Sequence, residues 1–476
     1  EKRFVKNSSA AAREVCAAVQ DAYARLVHPS LEREVRAMLT AQACEGAIKV
    51  FSKNLEQLLL APPIKGKVAL GLDPGYRMGC KTAVVDATGK VLDTAVLYPL
   101  PEFKRVDEAK RKLKALIEQY GVEIIAIGNG TAGRETELFT AEVLREIPRP
   151  VSYMVVSEAG ASVYSASKLA AQEFPQYDVN LRSAISIARR LQDPLAELVK
   201  IDPKAVGVGQ YQHDMPPARL AEALDGVVEH CVNSVGVDLN TASAPLLQRV
   251  AGVSAAVAKN IVAWREENGA FRARKQLLKV AKLGPKAYEQ CAGFLRVPGA
   301  AHKLDASAVH PESYGAALAV LQACGFTEED IGTQAMEALP QRAKAIGLEA
   351  LAKRAGVGVP TLQDILAELQ KPGRDMRDEL PPLLRTDVMK LEDLRAGMQL
   401  TGTVRNVIDF GAFVDLGVHQ DGLVHISQIS NRYIRHPSEV LKVGDIVTVW
   451  VLSVDVVKKR IALTMKPPAG SQQKNA

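Results

Sequence analysis

The sequence predicts a multidomain chain that is mainly α, with one α/β unit in its first half and a small all-β barrel at its C-terminal end. Three patterns carry this. Between Asp238 and Val297 a helix-turn-helix pattern occurs twice in succession. Residues 67–156 alternate short buried strands with helices, and residues 400–465 alternate apolar and polar positions in short runs bent at Gly402, Gly411, Gly417 and Gly422.

Composition narrows the function classes. At 476 residues the chain exceeds one domain, and 47% hydrophobic with 24% charged residues supplies ordinary globular cores. A net charge of +6 is mild, so any grip on nucleic acid must come from local patches. Cys16, Cys44, Cys80, Cys231, Cys291 and Cys324 lack metal-site spacing, which predicts reduced thiols in a cytoplasmic protein and neither a disulfide framework, a metal site nor a cofactor. No apolar run reaches spanning length and no secretory signal opens the chain, so no membrane is expected as a partner. The start, Glu1-Lys2-Arg3-Phe4, has no initiator methionine and leads straight into helix; residues 1–62 therefore read as the end of a longer N-terminal region.

Residues 8–60 are helical in period, with Val15, Val19, Tyr23 and Leu26 on one stripe, continued past His28-Pro29 by Val35, Met38, Leu39, Ile48, Phe51, Leu55, Leu58 and Leu59. Pro62-Pro63 stops the run. Residues 65–202 form the α/β unit. A buried strand ends at Leu72-Asp73-Pro74-Gly75, two strands follow as a hairpin through Thr88-Gly89, and helix, strand, helix and strand complete it. By itself Asp73 is a turn-forming residue ahead of Pro74-Gly75. The order of elements, with its Asp-Pro-Gly, resembles the RNase H-like domain of the YqgF and RuvC type.

That resemblance implies a carboxylate cluster holding two metal ions for phosphodiester cleavage. Asp73 matches the first acid and Asp193, in Arg190-Leu191-Gln192-Asp193, the last. The strand that should end in the middle acid ends Gly128-Asn129-Gly130, and Glu158 replaces it only if its loop folds back over the site. The expectation is a retired catalytic fold with no enzyme activity; a metal-dependent, structure-specific nuclease or resolvase is the alternative.

Residues 203–237 are a helical connector. Its His213 has no partner at metal-ligand spacing and is expected to make structural hydrogen bonds. In residues 238–298 the two copies break at Ala251-Gly252-Val253-Ser254 and Lys282-Leu283-Gly284-Pro285. Such a hairpin leaves amides free at the start of the next helix, where they hold a phosphate without reading bases. Lys282 and Lys286, with Arg265, Arg272, Arg274, Lys275 and Lys279, put positive charge around the hairpins; the plainer reading is a solvated basic face. The run from Leu239-Asn240-Thr241 to Gly269-Ala270-Phe271 resembles the tandem helix-hairpin-helix domain of ComEA-type DNA-binding proteins, with Ser254 standing where the first hairpin usually has a second glycine.

Residues 299–386 give two further helices, 311–324 and 360–369, and a charged, proline-rich connector from Lys371 to Pro382 that is expected to leave the last domain free to move. Residues 396–467 suit a closed barrel of the OB type, and residues 468–476 read as a disordered tail. The runs Phe410-Gly411-Ala412-Phe413-Val414-Asp415-Leu416 and Asp421-Gly422-Leu423-Val424-His425-Ile426-Ser427 resemble the ribosomal S1-type RNA-binding domain. The phenylalanines are either core or a stacking platform. The resemblance favours the platform, with His425, Asp455 and Arg460 around it.

Taken whole, the order of segments, with Gly71-Leu72-Asp73-Pro74-Gly75-Tyr76-Arg77, Gln210-Tyr211-Gln212-His213-Asp214 and Asp305-Ala306-Ser307-Ala308-Val309-His310-Pro311, resembles the bacterial Tex family of transcription accessory proteins, which is related to a eukaryotic elongation factor and histone chaperone. The resemblance implies a scaffold for RNA, single-stranded nucleic acid and DNA, working with RNA polymerase or other transcription machinery. A protein-recruiting scaffold built on the helical faces of residues 10–60 is a third reading.

Overall fold

The computed structural model describes residues 10–373, 375, 377, 384, 394–418, 420–430, 432–441, 445–455, 458 and 460–467. The expected tail at 468–476 lies outside them, as does most of the connector from Lys371 to Pro382.

Helix α1 (Ala10–Ala22) runs through a π-helical turn (Tyr23–Val27) into α2 (His28–Leu59). The wide turn falls where Pro29 removes an amide donor and its ring crowds the carbonyl of Arg25. The apolar stripe splits in two. Ile48, Phe51, Leu55 and Leu59 are buried, whereas Val15, Tyr23, Leu26, Val35, Met38 and Leu39 face solvent.

A five-stranded sheet follows, β1 (Ala69–Asp73), β2 (Cys80–Val85), β3 (Val91–Leu97), β4 (Ile124–Gly128) and β5 (Ser152–Val156), in the order β3-β2-β1-β4-β5. The first three strands pair antiparallel and β1, β4 and β5 run parallel, which is the RNase H-like arrangement. α3 (Val106–Gln119) and α4 (Gly133–Leu144) cover one face. After α5 (Ala161–Ser165) and α6 (Lys168–Glu173), α7 (Val179–Gln192) covers the other, and α8 (Pro194–Leu198) closes the unit. Gly71 permits the close approach of α7, since a Cβ there would overlap the Ala184 carbonyl oxygen and lie 2.7 Å from the Ala188 nitrogen.

α9 (Pro217–Val235) packs on α2, and one apolar core runs from Ile48 and Leu55 through Leu224 and Val228 into the double hairpin at Leu247, Ile261, Leu277 and Leu295. That core is continuous from α2 through α9 into the hairpin unit. The hairpin unit contains β6 (Val237–Asp238), α10 (Ala244–Leu247), α11 (Ala255–Asn268), a 3-10 turn (Arg274–Lys279), α12 (Pro285–Cys291) and β7 (Leu295–Arg296), which pairs parallel with β6. The first helix of the second copy is thus a tighter 3-10 turn. Next come α13 (Tyr314–Ala323), α14 (Leu339–Ile346), α15 (Leu348–Ala355) and α16 (Val359–Gln370) around their own core. α14 and α15 are additions to the two expected helices.

The expected freedom of the connector needs a correction at its first residues. Arg377 and Asp375 are buried; Arg377 pairs with Asp375 and with Asp193 of the RNase H-like unit, both at 2.8 Å, and Asp375 takes Lys65 at 2.8 Å. Burial works against ionisation of Asp375, yet hydrogen bonds from Arg377 and Lys65 hold its carboxyl well below the ordinary value. Beyond this clamp a closed barrel forms from β8 (Gln399–Ile408), β9 (Gly411–Asp415), β10 (Gly422–His425), β11 (Ile446–Asp455) and β12 (Arg460–Thr464), ordered β10-β12-β11-β8-β9, with a short α17 (Ile426–Ile429) after β10. Among the described residues no helix is long and apolar enough to cross a membrane, and all six cysteines are unpaired.

Candidate nucleic-acid interface and carboxylate site

Strand alternation decides which way the barrel's aromatic residues point. On β9, Ala412 and Val414 are fully buried, so Phe413 between them turns outward and is half-buried. It sits opposite Leu423, and Leu423 opposite Ala462, while two residues along β10 His425 is exposed opposite Gly411. Gly411 is required, because a Cβ there would overlap the Val424 carbonyl. Phe410, at the turn before β9, is 53% exposed, and its carbonyl accepts the Ile426 amide at 2.9 Å.

His425 caps α17: its Nδ1 accepts the Ser427 amide at 3.3 Å, which leaves the neutral ring its proton on Nε2, a donor for a phosphate or base edge. Arg460 and Asp455 face each other in register at the far end of this surface, with Arg460 exposed. The register therefore puts Phe413 and His425 on the outward side of the barrel, with Phe410 exposed at the adjoining turn and Arg460 and Asp455 where β11 meets β12.

The two hairpins are built alike from different residues. Gly252 and Lys282 hold the left-handed position at φ +79° and +67°, Val253 and Leu283 are buried, and Ser254 and Gly284 cap the next helix. Ser254 has an ordinary negative φ of −75° and its hydroxyl accepts the Val257 amide, so that position needs no glycine. Gly252 is the constrained one, since a Cβ there would lie 2.7 Å from Gln290 Cβ on α12. Both hairpin tips are exposed, with Lys282 and Lys286 beside the second.

The basic cluster is smaller in space than in sequence. Arg274 is 1% exposed and serves the core, and Arg265 donates to the carbonyls of Leu239 and Ala242 at 2.9 and 3.0 Å. Nor does His213 make the expected structural hydrogen bonds. It is exposed with Asp214 at 3.7 Å, and its neighbour Gln212 ties the loop by accepting the Val208 amide at 3.0 Å and donating to the Lys204 carbonyl at 2.6 Å.

At the sheet, Asp73 receives the Ser183 hydroxyl, and burial pushes its carboxyl above the ordinary value. Glu158 does fold back. Its amide donates to Asn129 Oδ1 at 3.1 Å, and its carboxylate lies over the end of β4, where a Cβ at Gly130 would overlap it and one at Gly128 would come within 2.6 Å. Burial, then the charge of Asp73, raises the Glu158 carboxyl too, and its Oε2 has no hydrogen-bond partner among the described residues.

Asp193 is not part of this group. It caps α8 by accepting the Ala196 amide at 3.2 Å and pairs with Arg377, because it sits past the end of α7 whereas Ser183 occupies the turn facing β1. Arg190 comes near instead. It is 2% exposed and donates to the carbonyls of Ser157 and Ala159 at 2.8 Å, and burial pushes its guanidinium down to about 10. Two acids facing Ser183, Lys81 and Arg190 do not fit a two-metal cluster, and no group of three or more His, Cys, Asp or Glu able to hold a metal forms among the described residues. Ser183 and Arg190 are not among the residues expected here from sequence, although Arg190 lies in the same short motif as Asp193.

Comparison with known proteins matches four segments of the chain to family models. Family models match as Tex protein YqgF-like domain over residues 67–192, Helix-hairpin-helix motif over 232–296, HHH domain over 302–377 and S1 RNA binding domain over 393–466. The chain is 56% identical to uncharacterized protein YdcI of Bacillus subtilis, over 98% of this chain and 64% of that protein. It is 54% identical to the transcriptional accessory protein Tex of Neisseria gonorrhoeae, over 94% and 58%, and 40% identical to the human S1 RNA-binding domain-containing protein 1, over 94% and 51%. The chain thus spans between 51% and 64% of the length of these relatives. The match at 302–377 explains a third turn of the same build, Gly356-Val357-Gly358, with Gly356 at φ +66° and Gly358 capping α16, which was not expected from the sequence.

Proposed function

This chain belongs to the Tex family, and from that membership together with the geometry above we propose that it is a nucleic-acid-binding accessory of transcription in the cytoplasm, holding RNA and DNA largely without regard to base sequence. The observation that carries the proposal is the outward side of the barrel, where Phe413 and His425 stand with Phe410 exposed at the adjoining turn. Rings stack on any base, and hairpin amides and lysines meet phosphates, which all sequences share. The name of the Neisseria relative, a transcriptional accessory protein, supports transcription machinery as the partner, and RNA polymerase is the component we propose. Titration with single- and double-stranded RNA and DNA across a salt series tests the proposal: affinity should fall with salt and differ little between sequences of one strand type. A strong preference for one base sequence overturns it.

The hairpins supply the sequence-blind grip on phosphates in this reading. Lys282→Gln with Lys286→Gln is expected to weaken duplex binding equally for all sequences and to reduce the salt slope by about 0.9 for each phosphate that the lysines no longer neutralise. An unchanged slope would leave those lysines as solvated charge only.

The same reading makes the RNase H-like unit a structural platform that does not cleave nucleic acid. What supports this is the separation of Asp193 from Asp73 and Glu158, and the guanidinium of Arg190 where a cluster would need further acid. With Mg²⁺ or Mn²⁺ and branched, duplex or single-stranded substrates, no cleavage above contaminant level is expected. Cleavage that disappears in Asp73→Asn and Glu158→Gln would restore the nuclease.

A further inference from the structure

The barrel carries one aromatic ring that no core or strand face accounts for. Tyr433 is 91% exposed, in the loop between α17 and the 3-10 turn Pro437–Glu439. The loop is held at both ends. Ser430 Oγ accepts the Arg432 amide at 3.1 Å at one end, and at the other His436 Nδ1 accepts the Ser438 amide at 3.1 Å. That bond leaves the proton of neutral His436 on Nε2, which donates to Asp409 Oδ1 at 3.1 Å. Asp409 immediately precedes Phe410, so the crest of the loop is tied beside the turn that presents Phe410.

Within the crest, Ile434 packs on the barrel core and fixes the backbone, while Tyr433 next to it projects into water. Arg432 and Arg435 flank the ring and are exposed, and neither guanidinium has a carboxylate partner among the described residues, unlike Arg405, which is paired with Asp415 at 2.8 Å. A large ring left out of the core and bracketed by unpaired guanidiniums has the composition of a single-strand path, with a face for a base and positive charge for the phosphates on either side.

We propose that the loop carrying Arg432, Tyr433 and Arg435 extends the barrel's nucleic-acid path beyond Phe410, with Tyr433 stacking one further base of a single strand and the two arginines holding the flanking phosphates. This rests on the reading of the barrel as a single-strand binder. Its partner is an unpaired strand, because a base inside a duplex offers no free face to the ring.

The test uses the full chain and homopolymeric single strands of about 4 and about 16 nucleotides, the two ends of the range of site sizes of such barrels. Tyr433→Ala is expected to weaken binding of the longer strand by about 10-fold and to leave the shorter one, which Phe410, Phe413 and His425 already occupy, unchanged. Tyr433→Phe keeps the face and should bind both as the parent does. Arg432→Gln with Arg435→Gln should flatten the salt dependence for the longer strand alone. If Tyr433→Ala binds both lengths like the parent while Phe410→Ala loses affinity, the extension is wrong and the barrel reading stands. If the parent binds neither strand, both fall. Since Tyr433 is 91% exposed, Tyr433→Ala and Tyr433→Phe are expected to melt as the parent does.

Discussion

Arg274→Ala is expected to lower stability by about 3–5 kcal/mol, the range for removing one partner of a buried charged network. The guanidinium is 1% exposed and joins two units. Nε donates to the Leu295 carbonyl at 2.7 Å, Nη1 to the Val309 carbonyl at 2.7 Å and to the Tyr314 hydroxyl oxygen at 2.8 Å, and Nη2 to the Ser307 carbonyl. Asp305 completes the network by accepting the backbone amide of Arg274 at 2.9 Å and the Tyr314 hydroxyl at 2.7 Å. Truncation strands three backbone carbonyls away from water and leaves a cavity. Arg274→Lys cannot satisfy all of them with one ammonium and should recover only part of the loss. Hydrogen exchange reads the effect where it occurs: amides of residues 295–309 should lose protection together, with the salt slope for duplex binding unchanged. A wild-type protection pattern in Arg274→Ala would refute the keystone role, and a reduced salt slope would return Arg274 to the phosphate-binding surface.

Arg274 also marks the boundary of what was legible in the sequence. Features set by neighbours in the chain were readable: the broken helical period at Gly252 and Gly284, the strand alternation that turns Phe413 away from Ala412 and Val414, and the stop at Pro62-Pro63. Features set by distant partners were not. Between Arg272 and Lys275 nothing local separates a core arginine from a surface one; the difference comes from carbonyls some 20 to 35 residues away. Asp193 has the right place in its motif, yet it pairs with Arg377, 184 residues on. Glu158 depended on a loop path that Asn129 anchors and for which Gly128 and Gly130 at the end of β4 leave room. α14 and α15 escaped because eight-residue helices joined at Gly347 are too short to display a period. The two hairpins were readable as copies, but the equivalence of Lys282 with Gly252 was not, because Lys282 holds a left-handed conformation that the first hairpin gives to glycine.

Phe410→Ala together with Phe413→Ala is expected to weaken single-strand binding by about 2–6 kcal/mol, at about 1–3 kcal/mol for each stacked base. By mass action this is a loss of about 30-fold or more. The opposing possibility is that the rings are core, in which case truncating both would cost about 6–10 kcal/mol of stability and unfold a domain of this size. Geometry separates the two before the experiment. Phe410 is 53% exposed, and Phe413 shares its outward side with Leu423 and His425 while Ala412 and Val414 at 0% exposure fill the interior. The variant barrel should therefore keep most of its stability and lose the strand. Melting followed by near-ultraviolet dichroism, run beside a titration with a single-stranded oligonucleotide, reads both quantities on one sample. An early melt would put the rings in the core, and a folded variant that binds like the parent would move the strand to another side of the barrel; only intact folding with lost binding agrees with the outward face.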